Sequence, residues 1–516
     1  MVTQRNIKML WAMLAHLLLT TIYCLLPTDS IAQITFEKTY GGPADDVGNS
    51  IQQTSDGGYI IAGYTYSFGT GSMDIHLIKT DSLGDTIWTK IYGGTGADGG
   101  NSVQQTSDRG YIITGFTESF GAGGFDVYLI KADSLGDTLW TKTYGGTLWE
   151  WGQFVQQTSD NGFIVTGYTN SYGSGFDDVY LIKTDSLGDT NWTRTYGGID
   201  NEQGYSIQQT FDGGYIIAGA TTSFGAGSHD VYLIKTNLFG NTLWTNTFGG
   251  VADDKGYSVQ QVSDGGFIIA GMTWSFGAGQ VDLFLIRTNN SGDTIWTKTF
   301  GGPFWDWGNS VRQTTDGGYI ITGLTFLFGA DSYDIYLSKT DSLGNSIWTK
   351  TFGGPLRDWG YSVVQTLDGG YAITGYINTP GAYNNTFLIK TDANGIVGVE
   401  EEEDNEQLNM QNVRLLQNQP NPFHHSTLIR YIIPVDSRQK TVDKNVSLNI
   451  YDITGRLVKI LVDERQESGV YQVQWDGKDQ GSGVYFYRLT VGVQNFEPLH
   501  DESSPYIETK KLILLK

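Results

Sequence analysis

Ser55-Asp56-Gly57-Gly58-Tyr59-Ile60-Ile61-Ala62-Gly63-Tyr64-Thr65 joins a tight turn to a β-branched and aromatic run with apolar–small alternation, the pattern of a strand. Its aspartate returns at Asp108, Asp160, Asp212, Asp264, Asp316 and Asp368, each 52 residues after the last. The same interval separates the first glycines of a Tyr/Phe-Gly-Gly signature, at Gly41, Gly93, Gly145, Gly197, Gly249, Gly301 and Gly353. A fixed period of this length marks a repeat architecture in which each unit is one supersecondary element.

Working outward from that strand, one unit reads as four strands: Asn49–Thr54, Tyr59–Thr65, Asp74–Thr80 and Thr86–Tyr92. Asp and Gly supply the turn chemistry in Ser55-Asp56-Gly57-Gly58 and again in Asp81-Ser82-Leu83-Gly84. Four short antiparallel strands in about 50 residues is the size of a propeller blade. Trp88 of the fourth strand recurs at Trp140, Trp192, Trp244, Trp296 and Trp348, but the seventh copy runs out at Ala393-Asn394-Gly395 without one. Counting back one period from Trp88 reaches Phe36, within Ile34-Thr35-Phe36-Glu37-Lys38-Thr39-Tyr40. The fourth strand of the seventh unit is therefore expected near the N-terminus, pairing with the last copy and hiding both sheet edges. A solenoid would need distinct capping repeats and gives no reason for a divided unit. The expected fold is all-β, a seven-bladed β-propeller of four-stranded blades over residues 33–397. Its units resemble the propeller repeats of secreted bacterial proteins.

Composition agrees: glycine is abundant at 69 residues, aromatics reach 13% and charged residues only 17%. A formal charge of −23, with no Lys/Arg cluster, excludes nucleic acid as a partner. Residues 1–32 read as a secretory signal peptide. Arg5 and Lys8 start it, Met9–Leu26 is its apolar run, and Ser30-Ile31-Ala32 is a small-residue cleavage site before Gln33. His16, Thr20 and Thr21 inside the run argue against a retained anchor, so no membrane span is expected after signal removal. The one cysteine, Cys24, lies in this segment, which leaves a mature chain without disulfides.

Residues 398–412 read as an acidic linker carrying Glu400-Glu401-Glu402-Glu403-Asp404. From 413 to 516 the repeat is gone, and alternating segments such as Val446-Ser447-Leu448-Asn449-Ile450-Tyr451 predict a small Ig-like β-sandwich. Pro420-Asn421-Pro422-Phe423, Tyr451-Asp452 with Gly455-Arg456, Trp475-Asp476-Gly477, Gly483-Val484-Tyr485 and Lys510-Lys511-Leu512 occur here in a particular order. In that order and over most of Leu415–Lys516, the segment resembles the type A sorting domains of type IX secretion (Por). The resemblance implies export by the N-terminal signal, then outer-membrane passage with the type IX secretion machinery as partner. The destination it implies is extracellular, secreted or on the outer cell surface.

Chemistry is sparse. The chain has no Gly-x-Ser-x-Gly elbow, no phosphate-binding glycine loop and no zinc-ligand spacing, so no catalytic residue, metal or cofactor is expected. An acid occupies one position in all seven copies, at Asp46, Asp98, Glu150, Glu202, Asp254, Asp306 and Asp358, and is expected near one mouth of the central channel. Two carboxylates ~8 Å apart repel by roughly 2 kcal/mol at an effective dielectric of 20, so such a ring needs compensating N–H donors. Recurrence in every blade points to structure, as it does for Gln53 and its equivalents through Gln365. Unrepeated residues are the better candidates for function. Trp149, Trp151, Trp305, Trp307 and Trp359 fall in the loop after Gly-Gly in copies three, six and seven only. They either wedge between blades or form a rim patch for a polysaccharide or a surface protein. The expectation is a binding or structural module; the alternative is a propeller carbohydrate-active enzyme, a glycoside hydrolase or lyase, using rim acids.

Overall fold

The computed structural model describes residues 34–326, 332–354, 356–378, 383–397, 413–415, 418, 426–433, 444–467, 469–478, 480–492 and 506–514. The expected signal peptide, the acidic linker and Pro420-Asn421-Pro422-Phe423 lie outside them. The chain divides into two compact units, Met1–Val399 and Glu400–Lys516. Among the described residues no helix is long and apolar enough to cross a membrane.

In the first unit, β1 (Phe36–Tyr40) stands apart from the four strands that follow it. These are β2 (Asp46–Gln53), β3 (Tyr59–Thr65), β4 (Asp74–Thr80) and β5 (Thr86–Tyr92), an antiparallel sheet in sequence order. Five further sheets of this kind follow, and the last combines Trp359–Gln365, Tyr371–Asn378 and Asn384–Thr391 with β1. Phe36 pairs with Lys390 and Tyr40 with Thr386, so the divided blade closes as the 52-residue count predicts. The result is a seven-bladed propeller whose first and last blades are joined by the N-terminal strand.

The expected bounds of β3, β4 and β5 hold, but the inner strand starts at Asp46 rather than Asn49. Asp-Val-Gly reads as loop because Asp and Gly disfavour strands. Here Gly48 pairs with Gly63, and a β-bulge between Gly48 and Ser50 absorbs the extra residue. A side chain at Gly63 would lie 1.7 Å from the Val47 carbonyl, so the close approach requires glycine.

Apolar side chains between neighbouring sheets form the core. Between blades one and two, Ile60, Ala62, Ile75 and Leu77 pack with Val103, Tyr111, Ile113 and Ile130, all at most 5% exposed. Each such aliphatic side chain contributes roughly 1.5–3 kcal/mol by leaving water. At the outer edge Trp88 meets Tyr111 edge-on at 5.8 Å, and its ring covers Gly136 in the last turn of blade two. Lys90 pairs with Asp137 at 2.7 Å, and the Tyr92 hydroxyl donates to the Gly136 carbonyl. The N-terminal strand repeats this contact on blade one: Phe36 covers Gly84, Lys38 pairs with Asp85, and Tyr40 donates to the Gly84 carbonyl.

Each Asp-Gly-Gly turn is tied to its own blade. Lys79, 3% exposed, reaches Asp56 at 2.9 Å, and the pairing recurs through Lys390–Asp368, with Arg287 in place of lysine on Asp264. The third turn residue takes a left-handed conformation: Gly57 has φ 84°, whereas copies two and three place Arg109 (φ 66°) and Asn161 (φ 63°) there.

In the second unit, Arg414–Leu415, Ser426–Ile433 and Gly469–Asp476 form one sheet. Leu457–Gln466, Lys444–Asp452, Gly483–Gly492 and Tyr506–Leu514 form a second. Ile429, Tyr431 and Ile433 of the first sheet share one core with Leu448, Ile450, Tyr487, Leu489 and Leu512 of the second, the expected β-sandwich.

Two outcomes follow. Arg109→Gly relieves a left-handed arginine and should stabilise the propeller by about 1 kcal/mol in denaturant melts, with a smaller gain for Asn161→Gly because asparagine tolerates that region. Deleting residues 34–40 should cost roughly 3 kcal/mol or more, the scale of removing large packed side chains, and should expose blades one and seven first to limited proteolysis.

Candidate ligand-binding face

The loop between β3 and β4 and the loop that enters β2 lie on one face of the ring. Tyr66 N–H donates to the Asp45 carbonyl and Ala44 N–H to Ser67 Oγ. The β3–β4 loop also reaches the next blade, where Asp98 N–H donates to the Met73 carbonyl. Each inner strand then runs from this face along the channel.

The five sequence-selected tryptophans fall into two groups. Trp305, Trp307 and Trp359 form a continuous cluster: Trp305 stacks on Trp307 at 6.4 Å, and Trp307 meets Trp359 edge-on at 5.2 Å. Trp151 belongs elsewhere, wedged between Phe116 at 4.0 Å and Tyr168 at 6.1 Å. Trp149 is 58% exposed on the same face without joining the Trp305 cluster. Trp274, 44% exposed and not singled out by the sequence, extends that cluster on blade five at 5.9 Å from Trp305. Tyr361 stacks on Trp359 at 5.6 Å, and Tyr257 lies 6.4 Å from Trp307. Blades five to seven thus carry a linked tryptophan cluster, whereas the aromatics of blades one and two on this face are phenylalanines and tyrosines such as Tyr64, Tyr66 and Phe116.

Its polar fringe is specific. Trp305 Nε1 donates to Gln280 Oε1 at 2.6 Å, whereas Trp307 Nε1 and Trp359 Nε1 have no partner among the described residues. Lys255 occupies the blade-five position equivalent to Trp307; burial lowers its ammonium below the ordinary value against the attraction of Asp253. Arg357 lies over the Tyr333 ring at 5.5 Å.

The recurrent acids are not presented at the channel mouth. Asp46, Asp98, Glu150, Glu202, Asp254, Asp306 and Asp358 are at most 2% exposed, beneath the Gly-Gly loops. Asp46 Oδ2 accepts from Gly42 N–H and Ser67 Oγ, both at 2.7 Å, and Glu150 accepts from Gly146 N–H, Thr169 Oγ1 and Ser171 N–H. The compensating N–H groups come from the inter-blade connections. A second buried acid ring, Asp74, Asp126, Asp178, Asp230, Asp282 and Asp334, escaped the sequence reading although it keeps the same period. Asp74 and Asp98 flank Gly93 across the blade junction, and burial, with the Asp98 charge adding to it, raises the Asp74 carboxyl above its ordinary range. At the closing junction Asn385 replaces the aspartate opposite Asp46 across Gly41. Gln53 and its equivalents do form a repeated bond: Ser55 N–H donates to Gln105 Oε1 at 2.8 Å, and Leu367 N–H to Gln53 Oε1 at 2.8 Å completes the circuit.

No family model matches the chain. Over 269 residues it is 27% identical to the regulatory protein FlaEY of Caulobacter vibrioides, covering 44% of this chain and 28% of that protein. The match therefore spans less than a third of that relative. Among solved structures, the extracellular domain of a hybrid two component system from B. thetaiotaomicron aligns with a TM-score of 0.40 at 11% identity, covering 93% of this chain and 57% of that one. Puromycin hydrolase aligns with a TM-score of 0.39 at 10% identity, covering 77% and 60%.

His76 gives this face a pH signature. It is 3% exposed where the six other blades carry Tyr or Phe, and burial lowers its pKa to about 4, against the pull of Asp46. A folded value below the unfolded one means stability is full above about pH 6.5 and lost as pH falls toward about 4. His76→Phe should remove this loss, so that the variant gains about 2–3 kcal/mol over wild type between pH 7 and pH 4 in parallel urea melts.

Proposed function

We propose that the chain is an exported binding module whose propeller takes a glycan on the aromatic surface of blades five to seven. The observation that carries this is the run Trp274, Trp305, Trp307 and Trp359, a set of indoles breaking an otherwise regular ring. Indole faces stack on the apolar faces of sugar rings. Lys255, at the blade-five position equivalent to Trp307, adds a cation at the edge of this surface for hydroxyl or acidic groups. Export rests on different residues: the signal-like segment 1–32 and the ordered motifs from Tyr451-Asp452 to Lys510-Lys511-Leu512 that resemble type IX sorting domains.

Affinity electrophoresis of the purified propeller through a polysaccharide panel tests the binding reading. Retardation by at least one polysaccharide is expected, weakened roughly tenfold or more by Trp305→Ala or Trp359→Ala, the scale of losing one aromatic stacking partner. Equal mobility of wild type and both variants in every gel would sink the glycan reading, and new reducing ends in the gel would mean turnover instead. Deleting residues 413–516 should abolish appearance of the propeller at the cell surface, as read by surface proteolysis of intact cells.

A further inference from the structure

At the far end of the channel, away from the aromatic face, the inner strands present a different ring. Gln52, Gln104, Gln156, Gln208 and Gln260 occupy equivalent positions, followed by Arg312 in blade six and Val364 in blade seven. These side chains line a cavity of about 230 Å³ inside the lumen. Six inner-strand residues at ~3.3 Å each put it about 20 Å from the aromatic mouth.

Hydrogen bonding decides what this cavity offers. Gln105 N–H donates to Gln52 Oε1 at 2.6 Å, and the same bond links Gln157 to Gln104, Gln209 to Gln156, Gln261 to Gln208 and Gln313 to Gln260. A backbone N–H requires an oxygen acceptor, so each amide is held with its oxygen engaged and its Nε2 donors left for the lumen. Arg312 Nη1 donates to the Val311 carbonyl at 2.8 Å and to Ser258 Oγ at 3.3 Å. Among the described residues its Nε and Nη2 make no further hydrogen bond, and no carboxylate lies within ion-pair distance. The cavity wall is therefore rich in donors, with one uncompensated cation, in a chain of net charge −23. Burial lowers the Arg312 guanidinium from its ordinary value without releasing its proton near neutrality.

We propose that the lower channel binds a small monocarboxylate anion, held side-on by Arg312 Nε and Nη2 and ringed by glutamine amides. Nε and Nη2 form the edge of a guanidinium that matches two carboxylate oxygens in parallel. One positive charge favours a monovalent guest, since a dianion would leave an uncompensated negative charge inside an already acidic protein. Arg312→Gln installs the residue that the first five blades carry, so the ring keeps its packing while losing the charge.

The test titrates sodium acetate into the full chain at constant ionic strength and follows relaxation of the acetate carboxylate carbon by NMR. Wild type is expected to show a saturable enhancement, and Arg312→Gln a dissociation constant raised roughly tenfold or more, the range for losing a charged hydrogen-bond partner. The variant's thermal melt verifies its fold in the same samples. A folded Arg312→Gln that titrates like wild type overturns the proposal, as does a wild-type titration with no saturable component.

Discussion

Ring closure depends on one short hydrogen bond made seven times. The side-chain oxygen at the Gln53 position accepts the N–H of the Asp-Gly-Gly turn in the preceding blade, from Ser55 on Gln105 round to Leu367 on Gln53. Each bond contributes only about 1 kcal/mol, but it fixes where one blade's turn sits against the next blade's inner strand. That registration brings Trp88 over Gly136 at the outer edge, and Phe36 over Gly84 where the circle closes. Length changes are absorbed only in the loop between a blade's second and third strands, where blade seven is one residue shorter and still keeps its glutamine bond and its Lys390–Asp368 pair. The 52-residue spacing of the turn aspartates, from Asp56 to Asp368, is the sequence expression of this constraint.

What was legible in the sequence is what repeats and alternates. β3, β4 and β5 were readable from β-branched runs between Asp-Gly turns, and the displaced strand from the missing seventh tryptophan slot, filled by Phe36. The start of β2 was hidden because strand pairing through Gly48 and Gly63 uses residues whose local preference is for turns. The Asp74 ring was missed for a related reason: an aspartate at a strand's first position looks like turn chemistry, and nothing local signals that the blade junction will bury it beside Asp98. The tryptophans were visible, but their grouping was not. Whether Trp151 joins Trp307 depends on where their blades stand around the circle and on neighbours such as Phe116, which belong to other repeats.

The two ends of the channel differ in kind although the same eight-residue strand builds both. At one end, positions free of the inter-blade bonds vary from Val47 and Gly99 to Trp307 and Trp359, giving an aromatic and lopsided surface. At the other, the glutamine ring is held by backbone donors and tolerates replacement only in blades six and seven, where Arg312 and Val364 stand. A symmetric scaffold thus supplies rigidity, and the departures from its symmetry mark where ligands are proposed. The C-terminal sandwich has its own core.

β1 is an integral fourth strand of the last blade and locks the circle. Native-state hydrogen exchange read by mass spectrometry on the peptides spanning residues 34–40, 86–92 and 386–391 addresses it most directly. With β1 integral to the last blade, all three exchange only through the same cooperative opening, with equal protection. Rapid exchange of residues 34–40 beside a protected 86–92 would show the N-terminal segment to be a loose tail, and the ring to close without it.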